Sequence, residues 1–215
     1  MPSTKHAETQ RLFLGPAMVM TENVFGGHFY ESLKIMKQTT SLPYPSIVRD
    51  TYRRRGLFGT LYTGFFPWGA VQAVGKGFPV LFGQQLASNY VTDWNASEFW
   101  KGYVSGSFAG TLQALCVTPL QRLKTVAITN ADCTAWNATK MLPLVVQQQG
   151  ALSMFRGLAP TVLRRSTDWG LRYATLHVAA DALYGKDADA LTFAEKVPCS
   201  LVAGTVSTLS MPFDN

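Results

Sequence analysis

Gly64-Phe65-Phe66-Pro67 and Gly157-Leu158-Ala159-Pro160 stand 93 positions apart, and each opens a helix-length stretch. Upstream of each lies an acid or amide three residues before a lysine: Glu31 with Lys34, and Gln121 with Lys124. A third copy begins at Pro212-Phe213-Asp214 and stops with the chain at Asn215. A repeat of somewhat under a hundred residues, each copy built from two apolar helices, predicts a ring of membrane helices around a central cavity. The fold class expected is therefore an all-α membrane protein of three tandem two-helix repeats, truncated in the third. Repeat 1 spans 1–92, repeat 2 spans 93–187, and 188–215 holds helix 5 of the third.

Composition agrees with helices that are apolar on one face only. The 215 residues are 47% hydrophobic and 15% charged, well below the roughly 25% charged usual in soluble domains. Mean hydropathy is only +0.06, so the helices are not greasy all round. Net charge is +6 and the isoelectric point is near 9.3. That excess suits a solvated surface, an anionic membrane, an anionic substrate or nucleic acid. The cysteines, Cys116, Cys133 and Cys199, are odd in number and irregularly spaced. They read as reduced thiols, since no spacing suits a disulfide framework or zinc. Met1 to Gln10 is polar and shows no signal-peptide pattern.

Along the chain, helices are expected at about 10–38, 61–88, 98–127 and 157–184, and from 193 onward, giving about five transmembrane helices. Gly102 to Gln121 carries no charged residue, a length sufficient for a hydrocarbon core. Gly102, Gly106 and Gly110 recur every four residues, which leaves one smooth face for a neighbouring helix. The connection at 39–56 runs into a basic stretch, Ser46 to Arg55, which reads either as a segment at the lipid surface or as a solvated loop helix. A second short connection covers 140–150.

The fourth helix carries Arg164, Arg165, Asp168 and Arg172. One arginine at mid-membrane costs roughly 2.5–3.5 kcal/mol, so these side chains must face protein or water. Arg164, Asp168 and Arg172 are spaced i, i+4, i+8 and form one stripe. The stripe reads either as a structural salt-bridge network around Asp168 or as cations lining an anion-binding cavity. Gln72, Lys76 and Val80 share one face of the second helix at the same spacing.

Phe29-Tyr30-Glu31-Ser32-Leu33-Lys34, Pro119-Leu120-Gln121-Arg122-Leu123-Lys124 and Pro212-Phe213-Asp214-Asn215 resemble the signature of the mitochondrial carrier family, a proline, an acid two residues on and a base three further. By that resemblance Glu31 pairs with Lys124 and Asp214 with Lys34, Gln121 faces a base not present, and together these residues close the matrix gate. Phe29 stands where the family has proline, so the first helix is expected to bend less. Gly150-Ala151-Leu152-Ser153-Met154-Phe155-Arg156-Gly157 is similar to a second family signature; Gly56 to Gly64 follows it with one extra residue and with Thr63 in the basic position. In family terms Gly64 and Gly157 then hold cardiolipin through helix-start N–H groups; the alternative is a plain helix start.

The resemblance also implies a substrate site. Family contacts seven and eight residues past the helix-start glycine fall on Arg164 and Arg165 and on Val71 and Gln72, with Lys76 one turn further. Gln72, Lys76, Val80, Arg164, Arg165 and Arg172 are the expected substrate-binding residues. Arginine forks suit carboxylates, and several cations around one site imply a di- or tricarboxylate. Three segments, 64–77, 123–129 and 163–173, look like the family's fungal citrate and 2-oxoglutarate carriers. Those have an acid in place of Gln72 and Arg-Gln in place of Arg164-Arg165, so this chain is more positive there. The function implied is exchange of carboxylate anions across the mitochondrial inner membrane by a multi-pass, monomeric antiporter. No cofactor or metal is expected. His6, His28 and His177 lie far apart and no catalytic constellation stands out, so an enzyme is not expected. The scattered basic residues match no nucleic-acid-binding signature.

Overall fold

The computed structural model describes residues 17, 20–91, 93–130, 133 and 138–208; Asp214 and the third gate motif lie outside them. Among the described residues there are eight α-helices and no strand. We number them α1 (His28–Thr39), α2 (Tyr44–Tyr62), α3 (Ala70–Gly75), α4 (Gly77–Val91), α5 (Glu98–Thr129), α6 (Met141–Gln149), α7 (Leu158–Tyr184) and α8 (Phe193–Ser207).

The expected third, fourth and fifth helices correspond to α5, α7 and α8. The expected helix at 61–88 is divided. It begins with a wide helical turn over Phe65–Gly69 in which Phe66 is extended (φ −98°, ψ 133°), and it is interrupted at Lys76 between α3 and α4. Gly64, Pro67, Gly69, Gly75, Gly77 and Pro79 crowd this stretch, and each either loosens the helix or removes a backbone donor. Before α1 the departure from helical geometry falls at Gly26 (φ 136°) rather than at Phe29. In contrast, α5 runs unbroken through Pro119 for 32 residues. Gly64 and Gly157 both take left-handed geometry ahead of their helices, at φ 78° and 82°. A Cβ disfavours that conformation.

The chain packs as two compact units that interleave in sequence, one from 1–77 and 117–156, the other from 78–116 and 157–215. In the first, α1 packs on α2. Arg55 of α2 donates to the carbonyls of Ile128 and Asn130 at the end of α5. Ile128 lies in the last turn of α5 and Asn130 just beyond it, where a cation suits the negative end of the helix dipole. Trp68 Nε1 donates to the Ala138 carbonyl at 2.7 Å, above a buried cluster of Ala127, Cys133, Ala138 and Met141.

In the second unit the glycine face of α5 meets α7. A Cβ on Gly102 would stand 3.0 Å from Ala174 Cα. One on Gly106 would collide with the Trp169 carbonyl, and one on Gly110 with the Arg165 carbonyl. Such backbone-to-backbone approach is what small residues every four positions permit. Gly83 of α4 meets Ala109 in the same way. α8 packs along α7 over a cluster that includes Ala180, Leu191 and Cys199.

Among the described residues no helix is long and apolar enough to cross a membrane. The expectation that Gly102–Gln121 spans a hydrocarbon core rested on its absence of charge, and absence of charge is not apolarity. Gly102–Gln121 is uncharged but contains Ser105, Ser107, Thr111, Gln113 and Thr118 among its glycines.

Gly106→Val should therefore destabilise the protein by about 1–3 kcal/mol through overpacking. Gly75→Ala, where a Cβ meets nothing within 4 Å, should be neutral or better. Thermal unfolding of the two detergent-solubilised variants measures this; equal midpoints would mean that α5 and α7 do not need their close approach.

Candidate anion-handling sites

The first unit buries a charge. Lys124 sits on α5 at 2% exposure, and its Nζ donates to Glu31 Oε2 of α1 at 2.5 Å. Glu31 itself keeps 31% of its side chain exposed. A buried ammonium requires a counter-charge, and the acid of the first motif supplies it to the base of the second, as the gate resemblance implied. The wall around the pair is aromatic. Phe65 is 1% exposed and meets His28 edge-on at 5.2 Å, while His28 Nε2 donates to the Thr63 carbonyl at 3.0 Å. A Cβ on Gly69 would lie 3.7 Å from Lys124 Cε, and one on Gly64 would lie 3.2 Å from the Lys124 carbonyl and 3.0 Å from Ile128 Cγ1. Gly64 is thus packed against α5, whereas space over Gly157 is open. Thr63, at the family's basic position, is buried.

The other gate residues are placed differently. Lys34 is exposed, Gln121 is half-buried, and Asp214 lies outside the described residues. Of the expected substrate residues in this unit, Lys76 is half-buried and acts electrostatically on Glu31. Gln72 is 2% exposed.

In the second unit the cationic stripe lies on α7. Arg172 Nε donates to Asp168 Oδ1 at 3.0 Å, and its guanidinium lies 5.5 Å from the centre of the Trp169 ring. Arg164 and Arg165 are half-buried one to two turns earlier. Val80 of α4 is 3% exposed. The structure therefore joins Asp168 to Arg172 and Glu31 to Lys124.

Several residues had no signal in the sequence. His28, Arg55, Gln84 and Gln113 act across helices. Trp169 Nε1 donates to Gln113 Oε1 at 2.8 Å, and the Tyr173 hydroxyl to Gln84 Oε1 at 2.6 Å. No periodicity within one helix reveals such partners. Cys133 is buried, and burial pushes its thiol up despite the nearby Arg55. The same burial lowers Arg55 below the ordinary guanidinium value, which still leaves it charged.

Residues 95–187 match the family described as mitochondrial carrier protein. The citrate/oxoglutarate carrier protein of Saccharomyces cerevisiae is 24% identical over 98% of this chain and 70% of its own length. The mitochondrial substrate carrier family protein Z of Dictyostelium discoideum is 26% identical over 93% of this chain and 70% of its own. The mitochondrial citrate transporter B of Aspergillus niger is 26% identical over 85% and 63%. No solved structure matches. Over residues 95–187 the chain thus resembles the mitochondrial carrier family, and these three relatives are all named as carriers or transporters.

Glu31→Gln should leave the Lys124 ammonium without its counter-ion, at a cost of about 3 kcal/mol, the lower end for a buried pair because Glu31 is partly exposed. Adding Lys124→Met should recover most of that loss. Denaturant titration of the single and double variants closes the cycle, and additive effects would show that the pair contributes nothing as a pair. Thiol labelling at pH 8 should modify exposed Cys116 first, with buried Cys133 and Cys199 reacting only on unfolding. Peptide mass spectrometry reads the order.

Proposed function

We propose that the protein exchanges di- or tricarboxylate anions, citrate and 2-oxoglutarate among them, across the mitochondrial inner membrane by alternating access. The observation that carries this reading is the Glu31–Lys124 ion pair, which joins the acid of one motif to the base of the next. Tandem two-helix repeats, as the sequence periodicity suggests, would make that pair one member of a gate that also includes Lys34, Gln121 and Asp214. Two relatives are named for citrate, and the basic residues suit a polyanion: Lys76 with Gln72 in the first unit, and Arg164 and Arg165 with Val80 in the second, Arg172 being offset by Asp168. Arginine donates two parallel hydrogen bonds to a carboxylate. Cardiolipin at the helix starts of Gly64 and Gly157 belongs to the same proposal, since helix N-termini favour phosphate.

Transport of this kind needs a ligand that binds one state more tightly than the other. A carboxylate that draws Lys76 away from Glu31 would do so, because the two already interact in the present state. The Glu31–Lys124 pair would then open.

Labelled citrate and 2-oxoglutarate uptake into liposomes, with and without internal counter-substrate, tests the reading. Uptake should depend on counter-substrate and fall at least tenfold in Arg164→Ala. Lys124→Glu should impair exchange, and adding Glu31→Lys should restore part of it. No uptake of either acid by folded wild-type protein would overturn the substrate assignment; failure of the charge swap to rescue would overturn the gate.

A further inference from the structure

α7 and α8 enclose an open cavity of about 280 Å³ within the second unit, lined by Trp169, Arg172, Tyr173 and Leu176 from α7 and by Ser200, Ala203 and Gly204 from α8. Its size is at the small end of ligand pockets. Its walls are held from behind. Trp169 is fixed by its bond to Gln113 and Tyr173 by its bond to Gln84, and the two rings stack at 5.8 Å. Leu176 rests on the cluster of Ala179, Ala180, Ala188, Leu191 and Cys199.

Arg172 is held at two points, by Asp168 through Nε and by the face of Trp169. Its remaining guanidinium nitrogens have no partner among the described residues. A planar donor already fixed in place loses little freedom on binding a carboxylate. The charge balance sets which carboxylate. Asp168 offsets Arg172, so the pair has no surplus positive charge to neutralise two or three negative ones. One carboxylate can share the guanidinium with Asp168, while a second brought close to Asp168 is repelled. The rest of the lining is aromatic and aliphatic apart from the Ser200 hydroxyl. Arg164 lies eight residues, or about 12 Å of helix, from Arg172, so a small anion held at Arg164 does not need this cavity.

We propose that the cavity binds a monocarboxylate with an apolar body, of the size of a medium-chain acid. Arg172 holds the carboxylate, Ser200 adds a hydroxyl donor, and Trp169, Tyr173 and Leu176 cover the chain. This site is separate from the one proposed for transported di- and tricarboxylates and does not depend on that reading.

Octanoate is the probe, with octanol and citrate as comparators and the thermal midpoint of the detergent-solubilised chain as readout. Two variants remove different parts of the site. Arg172→Gln removes the charge. Gly204→Leu fills the space, and a Cβ there meets nothing within 4 Å, so the helix tolerates it. Octanoate should raise the wild-type midpoint saturably, and at least tenfold more octanoate should be needed in either variant. Octanol and citrate should not reproduce the shift. An unchanged octanoate response in Gly204→Leu would mean binding elsewhere or micelle partition and would overturn the site. A shift equalled by octanol, or competed by citrate, would overturn the monocarboxylate assignment.

Discussion

A lysine buried to 2% exposure constrains the whole first unit. Removing an ammonium from water is costly unless an acid and good geometry replace the lost hydration. Glu31 replaces it from a different helix, and the surrounding residues follow from the need to enclose that contact. Gly64 and Gly69 approach the Lys124 segment of α5 where a side chain would intrude. Phe65, with His28 against it, closes the apolar wall. Thr63, rather than the base the family carries there, has its carbonyl occupied by His28 and its hydroxyl by Gly59. A second cation at that buried position would be like charge near Lys124. Arg55 fixes the other end of the same segment by occupying its terminal carbonyls.

The second unit is held together by different means. Its helices approach at Gly83, Gly102, Gly106 and Gly110, so backbone packing does what the ion pair does in the first. Buried polar groups are then matched in neutral pairs, Trp169 with Gln113 and Tyr173 with Gln84. Neutral pairs avoid the desolvation cost of ions and can fix ring orientation without adding charge.

Much of this was legible from the chain because it depends on period. The glycines at 102, 106 and 110 announce a close helix contact, and the paired glycine-led starts at 64 and 157 announce two helices of the same kind. The pairing of Glu31 with Lys124 came from the resemblance of the two acid–base motifs to a family signature, since spacing alone leaves Lys34, three residues from Glu31, as available as Lys124. What was not legible depends on neighbours from other helices. The Gln84 and Gln113 acceptors look like ordinary polar substitutions until Tyr173 and Trp169 lie against them. The division of the stretch 61–88 was signalled by five glycines and two prolines, but its one charge and apolar run dominated the reading. The apolarity of Gly102–Gln121 was overstated for a related reason: serine, threonine, glutamine and glycine carry no charge yet lower hydropathy.

Charge compensation separates the arginines of α7 more sharply than position does. Arg172 has its acid one turn away and a ring beneath it, so its electrostatic demand is largely met within the helix. Arg164 and Arg165 are adjacent cations, and two neighbouring cations favour an anion with more than one negative charge. On the proposed reading, one helix offers two kinds of anion contact, because Asp168 is placed four residues before Arg172 and pairs with it. On that reading, selectivity on this helix depends on which arginine Asp168 neutralises as well as on how many arginines it carries.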